Sequence, residues 1–112
     1  GTNVKTLTFD QEFSNGNSTA SATVDWTVAE KQVITINAAT ATLAFTSPNG
    51  VGNFLLRVVQ DATGGRFVAW PVTVKWSSSV IPVLSTAPGA IDIVTFYWNG
   101  VNYYGVASLN FG

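Results

Sequence analysis

Six carboxylates carry whatever acid–base or metal chemistry this chain could perform: Asp10, Glu12, Asp25, Glu30, Asp61 and Asp92. Asp10 and Glu12 stand two apart and would share one face of a continuing strand, which makes them the only sequence-local pair. A glycosidase holds two carboxylates about 5 to 9 Å apart across the bond it breaks, and this pair could meet that distance. Two acids closing a strand in solvent is the commoner reason for such spacing. Calcium would draw on Asp10, Glu12 or Asp25, yet no loop offers the spaced oxygen ligands of a calcium motif. The chain has no cysteine and no histidine. Disulfides are therefore excluded, and zinc would have to be held by carboxylates alone. A nucleophilic Ser or Thr would lack a histidine base, and no lysine stands in a motif that would replace it. The expectation is a protein that is not an enzyme and uses no cofactor and no metal.

Recognition chemistry is better supplied. Tyr97, Trp98, Tyr103 and Tyr104 surround Asn99 and Gly100, with Asn102 between them, and Trp70 and Trp76 belong to the neighbouring segment. A ring can stack on the apolar face of a sugar while amides take its hydroxyls. The candidate binding or interface residues are thus Trp70, Trp76, Tyr97, Trp98, Asn99, Asn102, Tyr103 and Tyr104. The competing use is packing: alternation turns half of such rings inward, and cross-strand aromatic pairs stabilise hairpins by about 0.2 to 1 kcal/mol each. Contact with a partner protein is a third use. Sugar binding requires at least two rings exposed on one flat or concave surface. The Gly64-Gly65-Arg66 run could suggest a phosphate loop, but β-branched and aromatic residues follow it where a helix would be needed.

The elements that must position these residues are strands. Phe54, Leu56 and Val58 alternate with Leu55, Arg57 and Val59, and a second run follows over residues 66–70 after a loop holding Gly64 and Gly65, which predicts a hairpin. Asp61 can accept from the amides of Thr63 or Gly64 in an Asx turn, and glycine takes positive φ at little cost. Pro71 should end a strand or sit at an edge. Upstream, Leu7 and Phe9 alternate with threonines, and Ala20, Ala22, Val24 and Trp26 form a clean period of two. Residues 13–19 read as a turn by composition. Residues 33–36 and 40–46 read as strands, residues 47–52 as a loop, and residues 27–31 as the one place for a short helical turn. Residues 77–88 read as a long connection with a short strand around Val83 and Leu84. Residues 91–98 and 101–107 flank Asn99-Gly100, the signal for a type I′ hairpin. About eight or nine strands in one domain spanning residues 1–112 predict an all-β, jelly-roll-like antiparallel β-sandwich.

Only 10% of the residues are charged while 46% are hydrophobic, against roughly 25% charged in an ordinary soluble domain. Some apolar surface should therefore remain outside the monomer's core, and large exposed apolar patches mark association sites. A homo-oligomer or a docked component of a larger assembly is expected. The basic residues Lys5, Lys31, Arg57, Arg66 and Lys75 are scattered along the chain, which gives no footprint for nucleic acid. No apolar run approaches the ~18 residues of a spanning helix, so no membrane insertion is expected, and no signal peptide is visible.

Residues 54–104 also carry an ordered set of short motifs: Gln60-Asp61-Ala62-Thr63-Gly64-Gly65-Arg66, Trp70-Pro71, Val74-Lys75-Trp76, Leu84-Ser85-Thr86, a Gly89-to-Phe96 strand and a final aromatic hairpin over residues 97–104. In this order they resemble a β-rich module recurrent in tailed-bacteriophage virion proteins. The resemblance implies a structural or adhesive role in tail fibres, head fibres or capsid decorations, and it brings no catalytic residues. It implies a virion location on the particle exterior after assembly in the host cytoplasm, with other virion proteins of capsid or tail as partners. Because the chain shows no shaft, collagen repeat or heptads, the leading expectation is a capsid decoration (cement) protein. The alternative is a tail- or head-fibre tip module that binds a host receptor or surface glycan.

Overall fold

The computed structural model describes residues 12–112. Alternation becomes strand along most of this length: β1 (Phe13–Asn17), β2 (Ser21–Asp25), β3 (Lys31–Ile36), β4 (Thr40–Thr46), β5 (Gly52–Gln60), β6 (Phe67–Ala69), β7 (Val74–Trp76), β8 (Ile91–Trp98) and β9 (Tyr103–Phe111). They form a six-stranded sheet in the order β1-β3-β5-β8-β9-β7 and a three-stranded sheet in the order β2-β4-β6. Ile34, Ile36, Leu56, Val58, Val94 and Phe96 from the larger sheet share one core with Val24, Ala41 and Leu43 from the smaller. Removing each large apolar side chain from water contributes about 1.5 to 3 kcal/mol. The all-β sandwich is the one the sequence predicts, and the nine strands among the described residues agree in number with the eight or nine expected, though not each in place.

The connectivity differs from an antiparallel jelly roll. From β1 to β6 the chain changes sheet at every connection, so β1, β3 and β5 stack in parallel, as do β2, β4 and β6. Antiparallel pairing is confined to β5 with β8 and β8 with β9, while β7 lies parallel to β9. Parallel neighbours need a long crossover, and here a strand of the opposite sheet with its two corners supplies it. Alternation decides which face a residue takes; it does not decide which strand lies alongside.

The expected hairpin at Gly64 and Gly65 is accordingly a corner between the sheets, joining β5 to β6. Asp61 does build the Asx turn, accepting at Oδ1 from the amides of Thr63 (3.1 Å) and Gly64 (2.9 Å). Both glycines take positive φ. The buried Gln60 amide closes the corner by accepting from Arg66 N and donating to Arg66 O, each at 2.9 Å. The buried Gln32 plays the same part at the corner between β2 and β3, donating to Asp25 O and Ala29 O.

Four other expectations change. Residues 13–17, predicted as part of a turn, form strand β1; their polar composition reflects a mostly exposed strand. The segment after β7 has a 3-10 turn at Ser77–Ser79 and no strand at Val83 or Leu84, although Leu84 is buried. Asp25 O accepts from Val28 N in a turn, not a helix. The β8–β9 connection has four residues, 99–102, and among them only Gly100 has positive φ, so it is not a two-residue type I′ turn. The expected strand through Leu7 and Phe9, and Asp10 of the acidic pair, lie outside the described residues.

Candidate functional site

The β8–β9 hairpin sorts the predicted aromatic residues by strand phase. Phe96, Trp98 and Tyr103 point into the sandwich, and Trp98 (8% exposed) lies 4.4 Å from Tyr103 (1% exposed) between ring centroids. The Tyr103 hydroxyl pairs with Ser47 Oγ at 2.7 Å, and burial pushes its pKa upward. Trp70 and Trp76 are half-buried, packed edge to face at 5.2 Å against the same core. Gly105 makes room for this, since a Cβ there would stand 2.7 Å from Trp76 Cζ3. The indole N–H groups of Trp26 and Trp98 are buried with no hydrogen-bond partner among the described residues. Trp70, Trp76, Trp98 and Tyr103 therefore belong to the packing of the sandwich.

Tyr97 and Tyr104 face the other way. They are 45% and 46% exposed on the outer face of the larger sheet. Directly opposite in register across β8 and β9, their rings are near-parallel, 6.4 Å apart with planes 23° from one another. Asn99 steadies the turn beside them: its Oδ1 accepts from Val101 N and Asn102 N at 2.8 Å, and its Nδ2 reaches Tyr104 OH at 3.4 Å. Asn102 is half-buried and its carbonyl accepts from Asn99 N.

The register brings further residues to this place that the sequence alone did not single out. Asn53, Tyr97 and Tyr104 form one row across β5, β8 and β9, and Lys31, Leu55, Thr95 and Val106 form the next row from β3 to β9. Together with Glu30 they line a groove of about 470 Å³ running across the strands, within the ~300–1,000 Å³ range of ligand sites. Glu30 and Lys31 are its charged residues and have opposite sign. Asn53 was legible only as an outward-phase residue; its place beside Tyr97 depends on a β5–β8 register that no local signal encodes.

Elsewhere the titratable groups serve corners and edges. Glu12 meets Arg57 of β5 in an ion pair at 2.8 Å, and that hydrogen bond lowers the carboxyl's pKa. Arg66 holds the Asp61 carboxyl below its usual range, helped by the Gly64 amide, and the Thr27 hydroxyl does so for Asp25. Among the described residues no group of three or more acidic side chains comes together to hold a metal ion. None of the described helices is long and apolar enough to cross a membrane. A second groove, of about 590 Å³, lies between Trp70, Val72, Trp76 and Ile81 at the sandwich edge.

The fold and the groove define an all-β module whose larger sheet presents side chains from its outer face. Residues 2–103 match the model of a family described as "Putative phage tail fibre C-terminal domain", and the chain belongs to that family. It is a structural component of a tailed-phage virion, as the motif order over residues 60–104 implies. The match favours the fibre alternative over the capsid decoration expected from the lack of a shaft, because a fibre's terminal domain has no need of one. No curated protein and no solved structure gives a significant match.

Proposed function

We propose that the chain is a host-facing module of a tail fibre that binds a receptor on the bacterial surface by adhesion, not catalysis. The observation that carries this reading is the outer-face groove at Tyr97 and Tyr104, where half-exposed rings, an amide and a hydroxyl converge without packing against the core. Membership of a tail fibre C-terminal family supports a position at the particle exterior. The partners are then other fibre proteins, made and assembled in the host cytoplasm, and a host receptor.

Self-association within the fibre is part of this proposal. Val72 is 91% exposed, Ile81 is exposed beside Trp70 and Trp76, and Val80 is exposed beside Trp76, a concentration of apolar surface at the sandwich edge that a free monomer leaves in water.

The test is saturable binding of the labelled chain to bacteria that the parent phage infects, with competition against phage adsorption. The expected result is binding to susceptible cells and none to receptor-deficient ones. Equal retention on both would refute the receptor reading. Light scattering checks the second element: a defined oligomer is expected, and a sharp monomer mass at micromolar concentration would remove it.

A further inference from the structure

We propose that the groove at Tyr97 and Tyr104 takes an uncharged saccharide chain lying across the strands. This rests on the receptor-binding reading above and names its ligand. Two half-exposed rings, near-parallel with planes 23° apart and centroids 6.4 Å apart, stand at directly opposite positions on neighbouring strands and line the groove together. A pyranose has apolar C–H faces that stack on such rings, while its rim of hydroxyls needs donors and acceptors at the edges. Asn53 sits in the same row as the rings, and Thr95 in the adjoining row.

Two alternatives fit the groove less well. A peptide adding to a sheet needs free main-chain groups, but at Tyr97 and Tyr104 both flanks are taken: β8 lies between β5 and β9, and β9 pairs with β7 over Tyr103–Gly105. The ligand must be held by side chains. A strongly charged ligand finds no matching field, since Glu30 and Lys31 offset each other at one end of the groove. Direction is set by geometry as well: the rows run perpendicular to the strands, and the two rings of the first row stand 6.4 Å apart along it. Successive sugars of a linear chain would therefore meet Tyr104, Tyr97 and Asn53 in turn. Asn99 is a positioning residue, holding the Tyr104 hydroxyl and the turn beneath it.

The experiment is a printed array of neutral linear hexose oligosaccharides, with sialylated oligosaccharides and peptides as controls, probed with the wild-type chain, Tyr97→Ala, Tyr104→Ala and Tyr97→Phe. Retention of the wild type on neutral oligosaccharides is expected, with a loss of about tenfold for either alanine variant, the size of one stacking contact. Tyr97→Phe keeps the ring and should retain the signal. Native mass and thermal midpoint accompany each variant. A wild type blank on all neutral oligosaccharides, alanine variants that bind as well as wild type, or a Tyr97→Ala variant that falls to a smaller oligomer without any glycan signal would each overturn the assignment. If the chain still binds susceptible cells in those cases, the receptor reading survives and only its ligand class is wrong; if it does not, both fall.

Discussion

Between β1 and β6 the chain crosses from one sheet to the other at every corner, whereas from β8 to β9 it doubles back within one sheet. The two halves place very different demands on side chains. In the hairpin, β8 and β9 satisfy each other's backbone, and only the exposed turn needs help, from Asn99. At a corner between sheets the backbone leaves its ladder inside the sandwich, where an unpaired amide or carbonyl costs about 1–3 kcal/mol. Side-chain amides supply the missing partners: Gln32 at the corner before β3, Asn37 accepting from Thr19 N between β1 and β2, and Gln60 at the corner after β5. The crossing half is held by individual polar clamps. The hairpin half is held by repetition, which leaves Tyr97 and Tyr104 half-exposed on its outer face.

If that contrast is right, the largest effect belongs to Gly64. A Cβ at this position would stand 2.6 Å from Thr86 O and 2.8 Å from Pro88 N, and φ is +73°. Both obstacles are backbone. Gly64→Ala should therefore cost at least about 3 kcal/mol in urea unfolding; a loss under about 1 kcal/mol would mean the corner is looser than its packing suggests. Next comes Gln60→Leu, which keeps the volume but strands the Arg66 N–H and C=O, with an expected loss of about 2 kcal/mol. Asn99→Ala removes two turn hydrogen bonds in solvent and should cost about 1 kcal/mol or less. Should Asn99→Ala prove costlier than Gln60→Leu, the comparison would be reversed.

The smallest effect is electrostatic. Asp61 and Glu12 have folded-state pKa values lowered, chiefly by hydrogen bonds from Arg66 and Arg57. Their stabilisation is present above the ordinary carboxylate range and is lost as pH falls from about 4 downward. Thermal midpoints should fall on acidification through that window, less steeply in Asp61→Asn and less in high salt, since these pairs are partly exposed.

Strand positions were legible because alternation reports burial, and most of the inward residues, Val24, Ile34, Leu43 and Leu56 among them, stand in phase. Pairing was not legible. A run such as Phe54 to Val58 looks the same whether its partner returns beside it or crosses above it. A signal for the crossing was present all the same: Gln32 shares the inward phase of Ile34 and Ile36, and Gln60 that of Phe54, Leu56 and Val58. A polar amide in phase with the core at a strand's end marks a corner that needs a clamp. The site was half legible for a related reason. In residues 96–98 and 103–104 both phases are aromatic apart from Asn99 and Asn102 at the turn, so composition could not tell which rings face out, and the rows that add Asn53 and Thr95 depend on register.

The inside–outside alternation along β8 and residues 103–107 of β9 has an evolutionary consequence. Phe96, Trp98 and Tyr103 are buried in the core, while Thr95, Tyr97 and Tyr104, interleaved with them, are exposed. The two sets share a backbone and face opposite ways. If the outward set contacts a host receptor as proposed, it can mutate residue by residue while the inward set stays under purifying pressure, so that one scaffold could shift its host range without first acquiring stability to spare.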